Sequence, residues 1–259
     1  MTNDSIVQIR NLCYSIGDKK ILDNISADFA SGQIHGVVGP NGAGKSTLMR
    51  TICRIWQADS GSVKIQGCDQ QQISRRKLSQ LVTLVPQESR IDFSIRVFDF
   101  VSMGRHPHLR RLQWLQNHDI EIINEALRVT DTEHFRDRYI NQLSGGESQL
   151  VSIARALVTE APIILLDEPT SALDIQHKLQ IMELLGVLKK QGKTILMNIH
   201  DLDLARRHCD TLTMLRQGQL YYQGCAEEAF RSEHIREVFN VEIEESTTEH
   251  GISLLFYAQ

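Results

Sequence analysis

The chain has 259 residues, 41% hydrophobic and 23% charged, which excludes a disordered chain, a collagen-like repeat and a disulfide-rich miniprotein. Its formal charge of −4 and its pI near 6.2 give no broad positive field, so we expect no nucleic-acid partner. Its five cysteines are widely spaced without a CxxC pair, which favours reduced thiols over a disulfide or zinc framework.

Short apolar runs predict the buried strands of a sheet. Each is rich in β-branched residues or leucine, and three of them end at a polar or glycine-rich turn that leads into a helical pattern. The runs cover residues 34–38, 81–85, 163–166 and 194–199. Strands separated by helices form a parallel α/β sheet, in which sites lie at the carboxyl ends of the strands.

Two other patterns accompany this sheet. Residues 6–12, 20–29 and 62–65 alternate in polarity or are bounded by turns, and they predict an antiparallel β layer. Residues 93–161 contain no convincing strand, and their helical periodicity predicts helices, one of them capped by Asn117. We therefore expect a helical subdomain inserted into an α/β core.

These patterns predict one domain over residues 1–259, without internal repeats. Its parts are the core at 1–87 and 162–224, the helical subdomain at 88–161 and a short C-terminal extension at 225–259. In the extension we expect a helix over 226–239, then a polar acidic tail and a final strand over 252–256. The longest apolar runs are far below the roughly 20 residues of a membrane-spanning helix, and the first residues do not resemble a signal peptide. We expect the chain to be neither exported nor membrane-spanning.

A glycine-rich loop follows the first buried strand and matches the pattern GxxxxGK[ST]. It consists of Gly39, Pro40, Asn41, Gly42, Ala43, Gly44, Lys45, Ser46 and Thr47. Glycines allow successive backbone N–H groups to turn toward phosphate oxygens, and the following helix adds its positive N-terminus. Lys45 is expected to reach the β and γ phosphates of a nucleotide, and Ser46 to ligate Mg²⁺.

An acidic pair ends the buried run at 163–166. Asp167 is expected to hold the water shell of Mg²⁺, while Glu168 orients or deprotonates the water that attacks the nucleotide.

Leu143 begins the sequence LSGGE, in which Ser144 lies at a helix N-cap and is followed by Gly145, Gly146 and Glu147. This helix end predicts a second anion-binding site.

Together these motifs resemble the ATP-binding subunit of an ABC transporter, whose signature is LSGGE. The resemblance covers residues 5 to 225, and it implies a P-loop NTPase (RecA-like) core. It further implies an aromatic ring for adenine, a Q-loop glutamine that touches Mg²⁺, two D-loop residues that cross between subunits, and a switch histidine at the γ phosphate. The matching residues are Tyr14, Gln87, Ser171 with Asp174, and His200.

The resemblance also implies partners. Two copies would form a head-to-tail homodimer, in which the glycine loop of one copy and residues 144–146 of the other clamp each ATP. Closing and opening of this dimer would drive membrane permease subunits on the cytoplasmic face of the bacterial inner membrane, with a substrate-binding protein involved indirectly. One departure is visible: Ser148 and Leu150 replace two arginines of the commonest signature continuation.

Residues 97–107 and 200–205 resemble the subfamily that imports metal chelates. Ferric siderophore is the first expectation for the cargo, and haem or cobalamin is the alternative. An exporter ATPase and a non-transport ABC ATPase stay open, although only 99 positions separate Lys45 from Ser144 (144 − 45), which leaves no room for the long insertion of DNA clamps. His106 and His108 fit solvated loop residues, and Arg105, Arg110 and Arg111 fit either a solvated loop or contacts with lipid or permease.

Overall fold

The computed structural model describes residues 5–87, 94–248 and 251–258. Residues 88–93, at the start of the predicted helical subdomain, lie outside the described residues. The chain forms two compact units. The first comprises Met1–Gln70 and Leu196–Gln259, and the second comprises Gln71–Ile195.

The strands in chain order are β1 (Ser5–Ile16), β2 (Lys19–Ala30), β3 (Ile34–Val38), β4 (Ser60–Ile65), β5 (Cys68–Asp69), β6 (Val82–Val85), β7 (Ile163–Asp167), β8 (Thr194–Asn198), β9 (Thr211–Arg216), β10 (Gln219–Cys225), β11 (Val241–Thr248) and β12 (Gly251–Ala258). The α-helices are α1 (Lys45–Ile52), α2 (Arg75–Ser79), α3 (Val97–Ser102), α4 (Asn117–Val129), α5 (Gly145–Leu157), α6 (Ile175–Lys190), α7 (Leu202–His208), α8 (Ala226–Ala229) and α9 (Ser232–Phe239). Among the described residues, no helix is both long enough and apolar enough to cross a bilayer.

The first unit contains the predicted antiparallel layer, in the strand order β2-β1-β4-β5. β1 pairs with β2 at Val7↔Phe29 and Ile9↔Ala27, and these four side chains are buried. Alternation of apolar and polar residues places one face of this layer in the core and leaves the other polar. The prediction of this layer is confirmed.

The first unit also holds β10, β9, β3 and, from Leu196 onward, β8, side by side in that order. β3 runs parallel to β9, with Val37 opposite Thr213. All five residues of β3 and all five of β8 are buried, which is the pattern of strands covered on both faces. The chain enters α1 from the carboxyl end of β3, so the glycine loop lies at the strand end where it was predicted.

The second unit contains β6 and β7, which pair in parallel, and the helices of the predicted helical subdomain. α3, α4 and α5 share an apolar cluster that includes Phe100, Ile123, Leu127 and Val151, all of them buried. Within each helix the members of the cluster are three or four residues apart, as Ile123 and Leu127 are on α4, so they lie on one face of the helix. This cluster explains why the segment is helical rather than extended.

Three details of the secondary structure differ from the sequence predictions. Gln116, rather than Asn117, is the N-cap of α4, because the carboxylate of Asp119 accepts a hydrogen bond from the Gln116 backbone N–H at 3.0 Å. The helix expected over 226–239 is broken into α8 and α9. The acidic tail forms β11, which pairs with β12 in an antiparallel hairpin, so the segment is ordered by backbone hydrogen bonds.

A buried ion cluster anchors the start of α4. Arg105 is only 3% exposed, and it donates to Asp119 at 2.9 Å, to the Val158 carbonyl at 2.9 Å and to Glu160 at 2.6 Å. Burial of the Asp119 carboxyl raises its pKa, but the Gln116 N–H and the Arg105 guanidinium outweigh this effect and leave the pKa below its usual value. Both interpretations considered for Arg105, a solvated loop residue and a contact with lipid or permease, are therefore wrong, because the side chain is enclosed.

Candidate functional site

The glycine loop of the first unit has a backbone that only glycine adopts easily. Gly39 has φ 149° and Gly44 has φ 101°, and both positions are closely packed. A Cβ at Gly39 would lie 2.2 Å from the Leu215 carbonyl oxygen, and one at Gly44 would lie 2.8 Å from the Ile21 carbonyl oxygen. Glycine is required at both positions for conformation and for space.

Lys45 begins α1 and turns back over this loop. Its side chain is buried, and Nζ donates to the carbonyl oxygens of Gly39 at 2.7 Å and Pro40 at 3.0 Å. Asn41 and Gly42 are exposed at the tip, whereas Ala43 and Thr47 are buried. The loop therefore carries a fixed positive charge beside the N-terminus of a helix, which is an arrangement that attracts anions.

Ser46 has a neighbour that sequence reasoning missed. The Asn198 side chain donates from Nδ2 to Ser46 Oγ at 3.4 Å, and Asn198 is fully buried at the end of β8. The signal in the sequence that could have identified Asn198 is its position as a polar residue at the end of the apolar run TILMN. His200 follows two residues later, where the chain leaves the strand, and it is exposed.

Tyr14 lies on β1 against a second aromatic ring. Its ring stacks on Trp56 with centroids 5.4 Å apart and an interplanar angle of 6°. The Arg50 guanidinium lies over the Trp56 ring at 4.7 Å. Tyr14 is thus held in a fixed orientation by a stack whose other two members were not recognised from the sequence.

In the second unit, the pairing of β6 with β7 brings two predicted residues together. Val85 lies opposite Leu166 in this pair of strands. Gln87 and Glu168 each follow two residues later, so the two residues lie side by side just beyond the strand ends. Gln87 Nε2 donates to Glu168 Oε2 at 2.6 Å. Asp167, directly before, is almost completely buried at the end of β7.

Glu168 has a positive φ of 53°, which is uncommon for a residue with a side chain. The turn that follows holds this conformation, since the Ser171 N–H and the Ser171 hydroxyl both donate to the Glu168 carbonyl, at 3.1 and 3.0 Å. A left-handed residue costs about 1 kcal/mol or more. The backbone therefore directs the Glu168 carboxylate toward Gln87 at an energetic cost.

The LSGGE segment forms the N-terminus of α5. Ser144 is the N-cap: its Oγ accepts from the Glu147 N–H at 3.3 Å, and Glu147 Oε2 accepts from the Ser144 N–H at 2.7 Å. The Ser144 N–H bond lowers the pKa of Glu147 despite partial burial. Ser144 and Gly145 are exposed, whereas Gly146 is buried. The exposed helix end has the geometry of an anion site, with Glu147 serving as its internal cap.

Gly146 is buried against His177, a residue that sequence reasoning did not select. A Cβ at position 146 would lie 2.3 Å from Cγ and Cδ2 of the His177 ring. The ring is also held by Asp174, whose Oδ2 is 2.8 Å from His177 Nδ1, and Asp174 Oδ1 accepts from the His177 backbone N–H at 2.9 Å. These two bonds lower the pKa of Asp174. His177 therefore connects the start of α6 to the start of α5.

The structure thus groups the predicted residues by unit. The first unit holds Tyr14, the glycine loop and His200, and the second holds Gln87, the 144–147 segment, Asp167 with Glu168, and the 171–174 turn. The two histidines of the HxH pair do not act together: His106 is exposed, while the His108 ring lies 2.8 Å from the Thr159 carbonyl oxygen. Among the described residues, no group of three or more His, Cys, Asp or Glu side chains is arranged to hold a metal ion.

The family profile described as ABC transporter matches residues 22–171, more than half of the chain. The chain belongs to this family. It is 36% identical over 229 residues to the iron(3+)-hydroxamate import ATP-binding protein FhuC of Bacillus subtilis, covering 88% of this chain and 85% of that protein. It is 35% identical over 238 residues to the cobalamin import ATP-binding protein BtuD of Halobacterium salinarum, covering 92% of this chain but only 59% of that protein.

Solved structures of ABC transporters have the same fold. An inward-facing putative metal-chelate type ABC transporter matches with a TM-score of 0.85 and 25% identity over 98% of both chains. A dimeric ATP-binding cassette in a post-hydrolysis state with ADP and phosphate matches with a TM-score of 0.74 and 27% identity, over 85% of this chain and 98% of that one. The predicted P-loop NTPase (RecA-like) core with an antiparallel β layer and an inserted helical subdomain is confirmed as the fold of this ABC protein.

Proposed function

We propose that this chain is the ATP-hydrolysing subunit of a bacterial ABC importer and that it energises the uptake of ferric siderophores across the inner membrane. The observation that carries the hydrolytic role is the 2.6 Å contact between Gln87 and Glu168, which fixes a carboxylate at the carboxyl end of β7. Residues 1–259 would act as one ABC ATPase domain, with the core, helical and C-terminal parts given above.

ATP is the nucleotide in this proposal. Tyr14, preoriented on Trp56, offers a ring face for adenine, since stacked aromatic rings attract one another beyond their buried area. The backbone N–H groups of residues 39–47 surround the phosphates. Lys45 would exchange its two carbonyl contacts for phosphate oxygens, which are stronger acceptors because they are charged.

The donor set fits Mg²⁺. The Ser46 hydroxyl, the Gln87 amide oxygen and the Asp167 carboxylate are hard oxygen ligands of the kind that Mg²⁺ prefers. When bound, the ion would neutralise charge on the phosphate oxygens as the terminal phosphate leaves. Asp167 is almost completely buried, so its carboxylate is held at the strand end.

Hydrolysis requires a group that holds the attacking water. Glu168 is proposed to orient that water and accept its proton, with Gln87 holding the carboxylate in place until nucleotide binds. His200, exposed after β8, is proposed to contact the γ phosphate. Hydrolysis would therefore depend on three side chains at the ends of three different strands.

The proposed active form is a dimer. The dimeric cassette with ADP and phosphate supports it, as does the exposure of Ser144 and Gly145 at the N-terminus of α5, where a second copy could present its nucleotide. Ser144, Gly145, Gly146 and Glu147, with Ser171 and Asp174, would act across the dimer. Permease subunits at the cytoplasmic face of the membrane and, indirectly, a substrate-binding protein complete the proposed assembly.

The cargo proposal depends on relatives. The name of the Bacillus relative supports a ferric hydroxamate, while the name of the Halobacterium relative supports cobalamin as the second candidate. Uptake of radio-iron as ferric siderophore, and of labelled cobalamin, by cells that lack the chain and are complemented with it separates them. Restoration of neither uptake, and of no haem uptake either, would contradict the importer role and favour an exporter or a non-transport ATPase.

The hydrolytic role is tested with Glu168→Gln, which keeps shape and removes the base. Turnover should fall about 10²- to 10⁴-fold while ATP binding persists, and the variant should accumulate as an ATP-held dimer in size-exclusion chromatography. Glu183→Gln, an exposed glutamate on α6, is the matched control and should turn over normally. Normal turnover by Glu168→Gln would remove Glu168 from the base role.

The glycine-loop role is tested with Lys45→Ala. Loss of a charged hydrogen-bond donor to phosphate should weaken ATP binding at least about tenfold in equilibrium titration with a fluorescent ATP analogue. Lys64→Ala, an exposed lysine on β4, is the control for loss of one positive charge. Full affinity in the Lys45 variant would contradict the assignment of this loop to phosphate.

A further inference from the structure

A loop in the second unit, residues 106–116, connects the turn at Arg105 to α4 and has a fixed shape. The Arg76 guanidinium, on α2, donates to the carbonyl oxygens of Pro107 at 2.9 Å, His108 at 3.1 Å and Leu109 at 2.8 Å. Gln80 also donates to the Pro107 carbonyl, at 2.8 Å. The loop is thus tied to α2 over its first half, and its tip is presented in a defined position.

The tip presents two large apolar side chains to solvent. Leu112 is 92% exposed and Trp114 is 89% exposed, more than any other large hydrophobic side chain among the described residues. Leu112 also has φ 64°, a backbone conformation that is unfavourable for leucine. The tip is closed by the Arg110 N–H, which donates to Gln113 Oε1 at 2.9 Å, and by the Gln113 N–H, which donates to the Arg110 carbonyl at 3.0 Å.

The surroundings of these apolar side chains are cationic. Residues 106–116 contain Arg110 and Arg111 but no acidic residue, although the chain as a whole carries −4. The adjacent α2 begins with the exposed run Arg75, Arg76 and Lys77. A shallow hollow of about 710 Å³ lies at the junction, with a polar lining from Arg76, His108, Arg110, Arg111, Gln113 and Gln116.

We propose that this surface, the 106–116 loop with the start of α2, binds the anionic headgroups of a lipid bilayer. Arginines form strong, charge-assisted hydrogen bonds with phosphate, and tryptophan beside basic residues is typical of side chains at the membrane–water interface. Leu112 and Trp114 would enter the interfacial region, which removes their apolar surface from water. A site for a free phosphate ion would account for the arginines but not for the exposed leucine and tryptophan.

The occupant is inferred from charge and from the apolar tip together. A nucleic acid would meet the same arginines, but the rest of the chain offers it no positive field. A membrane surface needs only one local patch with two insertable side chains, which is what this loop presents. The interaction requires neither nucleotide nor a permease, so its test is independent of the function proposed above.

The experiment measures binding of the purified full chain to vesicles. In Trp56→Phe, Trp114 is the only tryptophan, since the chain has two. Its emission should shift to shorter wavelength with vesicles of phosphatidylglycerol and phosphatidylcholine, and should not shift with phosphatidylcholine alone. A shift of equal size with both vesicles, or with neither, would overturn the proposal.

Substitutions identify the surface by co-sedimentation with the same vesicles. Arg110→Gln/Arg111→Gln should weaken binding about 30-fold, and Leu112→Ser/Trp114→Ser should also weaken it at least tenfold. The control Lys19→Gln/Lys64→Gln removes the same charge from exposed positions on the first unit and should change binding less than about twofold. An equal loss in the control would show that overall charge, not this loop, governs binding. Competition by millimolar inorganic phosphate at constant ionic strength would reassign the arginines to a soluble anion and refute the lipid proposal.

Discussion

A methyl group at position 146 would overlap the His177 ring. The added Cβ of Gly146→Ala would lie 2.3 Å from two ring carbons, whereas ordinary contacts begin near 3.4 Å, so ring or helix must move by more than 1 Å. The ring cannot move freely because its Nδ1 lies 2.8 Å from Asp174 Oδ2, and the His177 backbone N–H also donates to Asp174 Oδ1. Overpacking of this kind costs about 1–3 kcal/mol, which lowers the unfolding temperature of a chain of this size by roughly 2–10 °C.

Thermal unfolding followed by circular dichroism measures this effect, with two companion variants. A Cβ at Gly145 would meet only Leu173 Cδ2, at 3.7 Å, so Gly145→Ala changes the helix in the same way without the collision. Gly146→Ala/His177→Ala removes the ring and should recover most of the loss. If Gly146→Ala unfolds at the same temperature as Gly145→Ala, or if removal of the ring recovers nothing, the packing explanation for Gly146 is refuted.

Two further predictions concern buried groups. Asp119→Ala leaves Arg105 buried with a weaker set of partners, so the free energy of unfolding in urea should fall by about 3 kcal/mol at pH 7. Folding lowers the pKa of Asp119, so its contribution to the free energy of unfolding is complete above the usual pKa of 3.8 and disappears as pH falls through the pKa of the folded state. A difference in unfolding free energy between variant and wild type that stays constant in strong acid would contradict this. Burial raises the pKa of Cys209 to about 12, so iodoacetamide at pH 8 should label the exposed Cys68 and Cys225 and leave Cys209 unlabelled in the folded chain; prompt labelling of Cys209 would contradict its burial.

Local signals were sufficient to locate the parts of the candidate site that lie at strand ends or at a helix N-terminus. The glycine loop, Asp167 with Glu168 and the Ser144 cap depend on residues that are close in sequence, and their patterns are visible there. The register of the two parallel strands was not visible, so the resemblance identified Gln87 as the Q-loop glutamine but did not predict its contact with Glu168.

Contacts between segments that are distant in sequence could not be predicted. His177 looks like any half-exposed helical histidine until Gly146 of another helix is placed against it. Arg105 appeared to belong with the basic loop because it is adjacent in sequence, yet Asp119 and Val158 enclose it. The acidic tail after 240 gave no strand signal strong enough to outweigh its charge, although β12 pairs with it along its length.

With Glu168 in its proposed role as the base, the left-handed backbone at this residue would place stability and catalysis in opposition at one position. Asparagine adopts this conformation more readily than glutamate, so the residue best suited to the turn is one that cannot accept a proton. Retention of glutamate means that the turn is maintained at a free-energy cost, held by the two hydrogen bonds from Ser171. Under the proposed role of Glu168, a search for thermostable variants of this chain would favour inactive ones at this position, and selection for activity would act against that tendency.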